Sequence, residues 1–135
     1  MTKDQVELRD VASGLWIWRF EDPDWEQDAG WEPIVASTFV ESGGERLLLD
    51  PLAPPADAAE VWERLDARPP TALVVLKPDH VRDVDLFVHR YHVRAFGPRL
   101  FFRDDVPETK LEPIEPGSHL PGGIVSLYDL SLIHI

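Results

Sequence analysis

A chain of 135 residues is the size of one ordinary domain, or part of one, and can bury a core. Its formal net charge of -12, with 13 Lys and Arg against 25 Asp and Glu, argues against a nucleic-acid or anionic-membrane surface, because phosphate contacts need clustered cations. With no cysteine there is neither a disulfide framework nor a thiolate site, so any metal would have to be held by His, Asp and Glu. The stretch from Met1 to Asp10 lacks the apolar core of a signal peptide and no apolar run is long enough to span a bilayer, which leads us to expect a cytoplasmic protein without membrane segments.

Alternation of apolar and polar residues predicts strands over Val6 to Val11 and Gly14 to Phe20, joined by a tight turn at Ala12-Ser13-Gly14. Trp16 and Trp18 share one face of the second strand and are expected to pack inward. An acidic loop from Glu21 to Pro33 carries Trp25 and Trp31, and is followed by a second hairpin, Ile34 to Val40 and Glu45 to Leu49, around Ser42-Gly43-Gly44. Ala59, Val61, Trp62 and Leu65 recur at helical spacing within Ala56 to Ala67. A strand over Ala72 to Leu76 precedes a second helix, which starts at Pro78 or Val84 and ends at Tyr91, and Val93 to Phe96 reads as the returning strand. Residues 45 to 96 are therefore two successive strand-helix-strand units, which favours parallel pairing in a mixed α/β sheet. Leu111 to Ile114 and Gly123 to Tyr128 are expected to be a final pair of strands bracketing His119. The last residues, Leu130-Ser-Leu-Ile-His-Ile135, resemble a translated sequencing adaptor, so 129 to 135 are expected to be a non-native tail and His134 is left out of every site.

The richest stretch for chemistry is Thr71-Ala-Leu-Val-Val-Leu-Lys-Pro-Asp-His-Val-Arg-Asp83, a buried-strand run that ends in a polar turn carrying His80 and Asp83. A second isolated histidine, His119, recurs in Pro116-Gly-Ser-His-Leu-Pro-Gly-Gly-Ile124, again in a loop beside a strand. Two such loops can converge on one metal or substrate.

These residues resemble the metallo-β-lactamase-fold hydrolases, whose pattern is hairpins, a strand ending in a Leu-Ile-Asp-type turn, a helix, and a strand leading to a His-x-His-x-Asp-His loop. Leu47-Leu-Leu-Asp50 is similar to that turn, and Val74-Val-Leu76 to the strand before the metal loop. Laid on the loop without gaps, Pro78 takes the place of the first His, His80 the second, Arg82 the Asp and Asp83 the last His. His119-Leu-Pro-Gly-Gly-Ile124 resembles the family's His-Thr-Pro-Gly-Ser segment. The resemblance implies an incomplete αββα sandwich over residues 1 to 128, a mixed sheet with helices on its outer face, in which His119 is a metal ligand and Asp50 orients the metal loop. Later strands of the family, with a bridging Asp and a final His, have no counterpart up to residue 128.

The departures have chemical consequences of their own. Pro78 offers no ligand atom, and Arg82 is permanently cationic where a second divalent ion would meet an acidic ligand. What remains is a single zinc site of His80, Asp83 and His119, with a fourth position for water and with Asp83 and Asp50 as the catalytic carboxylates. The alternative is a non-catalytic module in which Lys77 and Arg82 hold a small anionic ligand at a helix N-terminus. In either case Trp25 and Trp31 can contact the small-molecule substrate or ligand.

Plainer readings stand beside these. Asp83 can cap the helix starting at Val84, Asp50 can form a turn before Pro51, and His80 and His119 can be loop residues. His89 and His92, toward the end of the second helix, read as structural or solvated.

Overall fold

The computed structural model describes residues 5–101 and 106–125. Seven strands form one sheet in chain order: β1 (Glu7–Ala12), β2 (Leu15–Glu21), β3 (Ile34–Ser42), β4 (Glu45–Leu49), β5 (Ala72–Val74), β6 (Arg94–Gly97) and β7 (Glu112–Pro113). The first four pair antiparallel and β4 to β7 pair parallel. Two helices, α1 (Ala59–Ala67) and α2 (Val84–Tyr91), supply the β4–β5 and β5–β6 crossovers that parallel pairing requires. The hairpins and both strand-helix-strand units thus stand where the residue pattern predicts them, within one to three residues.

Successive residues of a strand face opposite sides, and β4 buries both. Leu48 joins Trp16, Trp18, Phe39 and Leu73 on the face that carries Val61 and Leu65 of α1 and Val84 and Phe87 of α2. Both helices therefore lie on one face of the sheet, and Trp16 and Trp18 point into that core as expected. Leu47 belongs to a second cluster with Ala72 and Phe96, against which Leu120 and Ile124 pack.

The last strands differ from expectation. Glu112–Pro113 does not pair with the segment after Gly123; it extends the large sheet beside β6, while β9 (Ile124–Val125) pairs with β8 (His119–Leu120). The reason is local. Pro121–Gly123 turns tightly enough for residues 119 and 125 to face each other, and Leu111 is buried beside Gly97 at the large sheet's edge. The part of Gly123 to Tyr128 beyond Val125, and the tail at 129 to 135, lie outside the described residues. Among the described residues no helix is long and apolar enough to cross a membrane.

Candidate functional site

A cleft of about 560 Å³ opens where β4 and β5 end, walled by the acidic loop before β3 and by the turn between β5 and α2. Its floor is the turn after β4. Asp50 is buried and takes a left-handed backbone at φ 48°, an uncommon conformation outside glycine that Asp and Asn tolerate best. Its carboxylate accepts the Leu76 N–H at 2.7 Å and lies 2.8 Å from His80 Nδ1. An ionised carboxylate can only accept, so Nδ1 carries the hydrogen, and in the neutral ring Nε2 is left as the acceptor. Asp50 thus forms the turn with its main chain and holds the His80 ring with its side chain.

The turn is held from three further directions. Ser37, a buried hydroxyl on β3, accepts the Leu52 N–H at 2.9 Å, and the Trp18 indole donates to the Leu52 carbonyl at 3.0 Å. Asp83 stands at the N-cap of α2 without a side-chain cap bond; its carboxylate accepts the Ala53 N–H at 2.7 Å instead. Burial pushes the Asp83 carboxyl above the usual carboxylate range, against the lowering by the Ala53 N–H, and Asp22 and Asp24 add to the rise. Arg82, also left-handed at φ 44°, donates from Nη1 to the carbonyls of Ala36 at 2.9 Å and Asp50 at 2.7 Å.

Lys77, His80, Arg82 and Asp83 all line the cleft, together with Trp31 from the acidic loop. Trp25 does not line it; its indole donates to the Trp31 carbonyl at 2.8 Å and so braces the loop from behind. Lys77 sits 3.5 Å from Asp79. Asp22, Asp24 and Glu32 also line the wall, so five carboxylates face two cations and the cleft favours positive charge. Residue types alone did not single out Asp22, Asp24, Glu32 and Asp79, although the acidic run from Glu21 to Pro33 was the signal for three of them. Ser37 had none, because a serine in an apolar strand looks like surface alternation.

His119 is not brought to this cleft. It is exposed on β8, and the turn that follows it meets the opposite end of β3 and β4, where Ser42 Oγ donates to the Gly122 carbonyl at 2.6 Å. Among the described residues no three His, Asp or Glu side chains are grouped to hold a metal ion. The donor chemistry explains this: Pro78 is fully buried and has no ligand atom, one Asp83 oxygen serves a backbone amide, and the Arg82 side chain is a cation held on two carbonyls. The cleft residues as they stand do not fit a zinc centre.

No protein-family model and no curated protein matches this sequence. Solved structures do. A metallo-β-lactamase from Pontibacter korlensis superposes with a TM-score of 0.63 at 15% identity over 88% of this chain and 57% of its own. One from Hirschia baltica gives a TM-score of 0.58 at 20% identity, over 85% and 56%. FIM-1 from Pseudomonas aeruginosa, in its mono-zinc form, gives 0.55 at 15% identity, over 87% and 55%. The chain spans little more than half the length of each. Its mixed sheet with both helices on one face is therefore the metallo-β-lactamase fold, present over part of that fold's length.

Proposed function

We propose that residues 1 to 128 are the N-terminal part of a metallo-β-lactamase-fold, hydrolase-like protein whose metal loop has eroded, so that the intact protein holds at most one metal ion. The observation that carries this reading is the position of Arg82. Its guanidinium occupies the loop place that the resemblance gives to an acidic metal ligand, and it is fixed there on the carbonyls of Ala36 and Asp50. A permanent cation opposes a divalent ion at that place by roughly 2 to 8 kcal/mol at ~4 Å, depending on the local dielectric. Zinc enters the reading through the mono-zinc form of FIM-1, and His80 is the side chain best presented to hold it.

The anion-binding reading through Lys77 and Arg82 has less support, since Arg82 Nη1 is engaged with two carbonyls, Lys77 faces Asp79, and the cleft is acidic. Metal content after zinc loading and gel filtration tests the first reading. The chain is expected to retain less than one equivalent, and the Pro78→His/Arg82→Asp/Asp83→His variant, which restores the loop's ligand types, to retain more. Two tightly held ions in the unmodified chain would overturn it. Phosphate binding lost on Arg82→Ala would favour the second reading.

A further inference from the structure

The misfit between the loop and a metal site raises the question of what holds the loop in place. We propose that Arg82 is the internal cation that ties the loop of residues 77 to 83 to the sheet, so that the cleft is built without a metal ion. The inference goes beyond the eroded-loop reading, which concerns what Arg82 excludes and not what it supports.

Three observations converge on it. Arg82 Nη1 reaches two strands at once, the Ala36 carbonyl on β3 and the Asp50 carbonyl just past β4, and so spans the floor of the cleft. Left-handed backbone at a non-glycine residue persists only where surrounding contacts enforce it, and the two such residues in the cleft, Asp50 and Arg82, are joined by that 2.7 Å bond. The contacts also close a ring. Arg82 fixes the Asp50 main chain, the Asp50 carboxylate fixes the Leu76 amide and His80, and the chain from His80 returns through Val81 to Arg82. Beside it, Asp83 takes the Ala53 amide and donates its own N–H to the Pro51 carbonyl. Residues 82 and 83 therefore grip residues 50 to 53 through main-chain atoms. The guanidinium also offsets the surrounding carboxylates, a charge task that falls to the bound cation in a metal-built loop.

Residue-resolved amide hydrogen exchange on the full 135-residue chain tests the proposal, read at Leu76 and Ala53, with and without EDTA. In Arg82→Met both amides are expected to exchange roughly tenfold faster or more, the value of one lost hydrogen bond, while Thr38 and Val40 at the centre of the hairpins keep their protection. EDTA is expected to change nothing in the unmodified chain. Unchanged exchange at Leu76 and Ala53 in Arg82→Met would overturn the proposal, as would an EDTA effect equal to that of the substitution. Should Arg82→Met lose protection at Thr38 and Val40 as well, Arg82→Lys decides: it keeps the charge but not the planar reach, so faster exchange confined to Leu76 and Ala53 supports the proposal and unchanged exchange overturns it. Zinc retained at two equivalents without any change in these amides would refute the eroded-loop reading and leave this inference standing.

Discussion

The two ends of β3 and β4 are both met by a later segment of the chain, and they are met in opposite ways. At the cleft end, side chains reach main-chain atoms: Asp50 to Leu76, Asp83 to Ala53, Arg82 to Ala36 and Asp50. At the other end, about 17 Å away along five residues of β4, one hydroxyl, Ser42 Oγ, donates to the Gly122 carbonyl, and the rest of the contact is backbone against backbone, because Gly122 comes so near Ser42 and Gly43 that no larger side chain fits between them. One end is specified by charge and a web of hydrogen bonds, the other chiefly by the absence of a Cβ. The first can be rewired one interaction at a time; the second can only be broken.

That contrast predicts where substitutions hurt most. Gly122 has φ 83° and an added Cβ would run into the Ser42 carbonyl, so Gly122→Ala is expected to lower stability by about 3 kcal/mol through strain and clash together. Urea unfolding measures it, and a loss below about 1 kcal/mol would mean that the turn relaxes away from the sheet. At the cleft end Asp50→Ala removes the acceptor for Leu76 and His80 and puts alanine at a positive φ, for an expected cost of about 2 kcal/mol. Asp50→Asn, which keeps one acceptor and tolerates the left-handed region, should cost about half as much; equal losses in the two variants would argue against hydrogen bonding as the cause.

The smallest effect lies away from both ends. Burial, and then the hydrogen bond to Asp66, push the Tyr91 hydroxyl from 10.0 up to about 12. A raised folded-state value means that the protonated form is favoured by folding. Its stabilisation is whole below pH 10 and is lost as pH rises toward 12. Tyr91→Phe should therefore flatten the alkaline limb of the stability curve and leave both sheet ends unchanged. An identical alkaline limb in the variant would assign that loss to other groups.

Much of this fold is legible in the residues. β4 reads as a strand buried on both sides because Leu47, Leu48 and Leu49 follow one another without a polar break, and the helix stripes of Val61 and Leu65 and of Val81, Val84, Val88 and Tyr91 mark the face they cover, although Phe87, fully buried there, falls outside the stripe. The cleft is legible in part. His80, Arg82 and Asp83 stand out by type, but the partners of Arg82 and Asp83 are the Asp50 and Ala36 carbonyls and the Ala53 amide, and main-chain atoms leave no trace in composition or periodicity. The similarity of its segment to a metal motif pairs His119 with His80. Which end of the sheet that segment crosses to depends on the close approach of Gly122 to Ser42, a contact between residues 80 apart that no local pattern encodes.

The span of the cleft contacts along the chain also has a kinetic meaning. The β1–β2 and β3–β4 hairpins pair residues no more than 12 apart in sequence, as Glu7 with Arg19, whereas the contacts to Asp50 from Leu76, His80 and Arg82 close loops of 26, 30 and 32 residues. Long loops lose more chain entropy before any contact forms, so the hairpins are expected to order first and the cleft last. Interactions absent from the transition state act on the unfolding limb. Asp50→Ala should thus accelerate unfolding and leave the refolding rate nearly unchanged, and a slowed refolding limb would place the cleft in the folding nucleus instead.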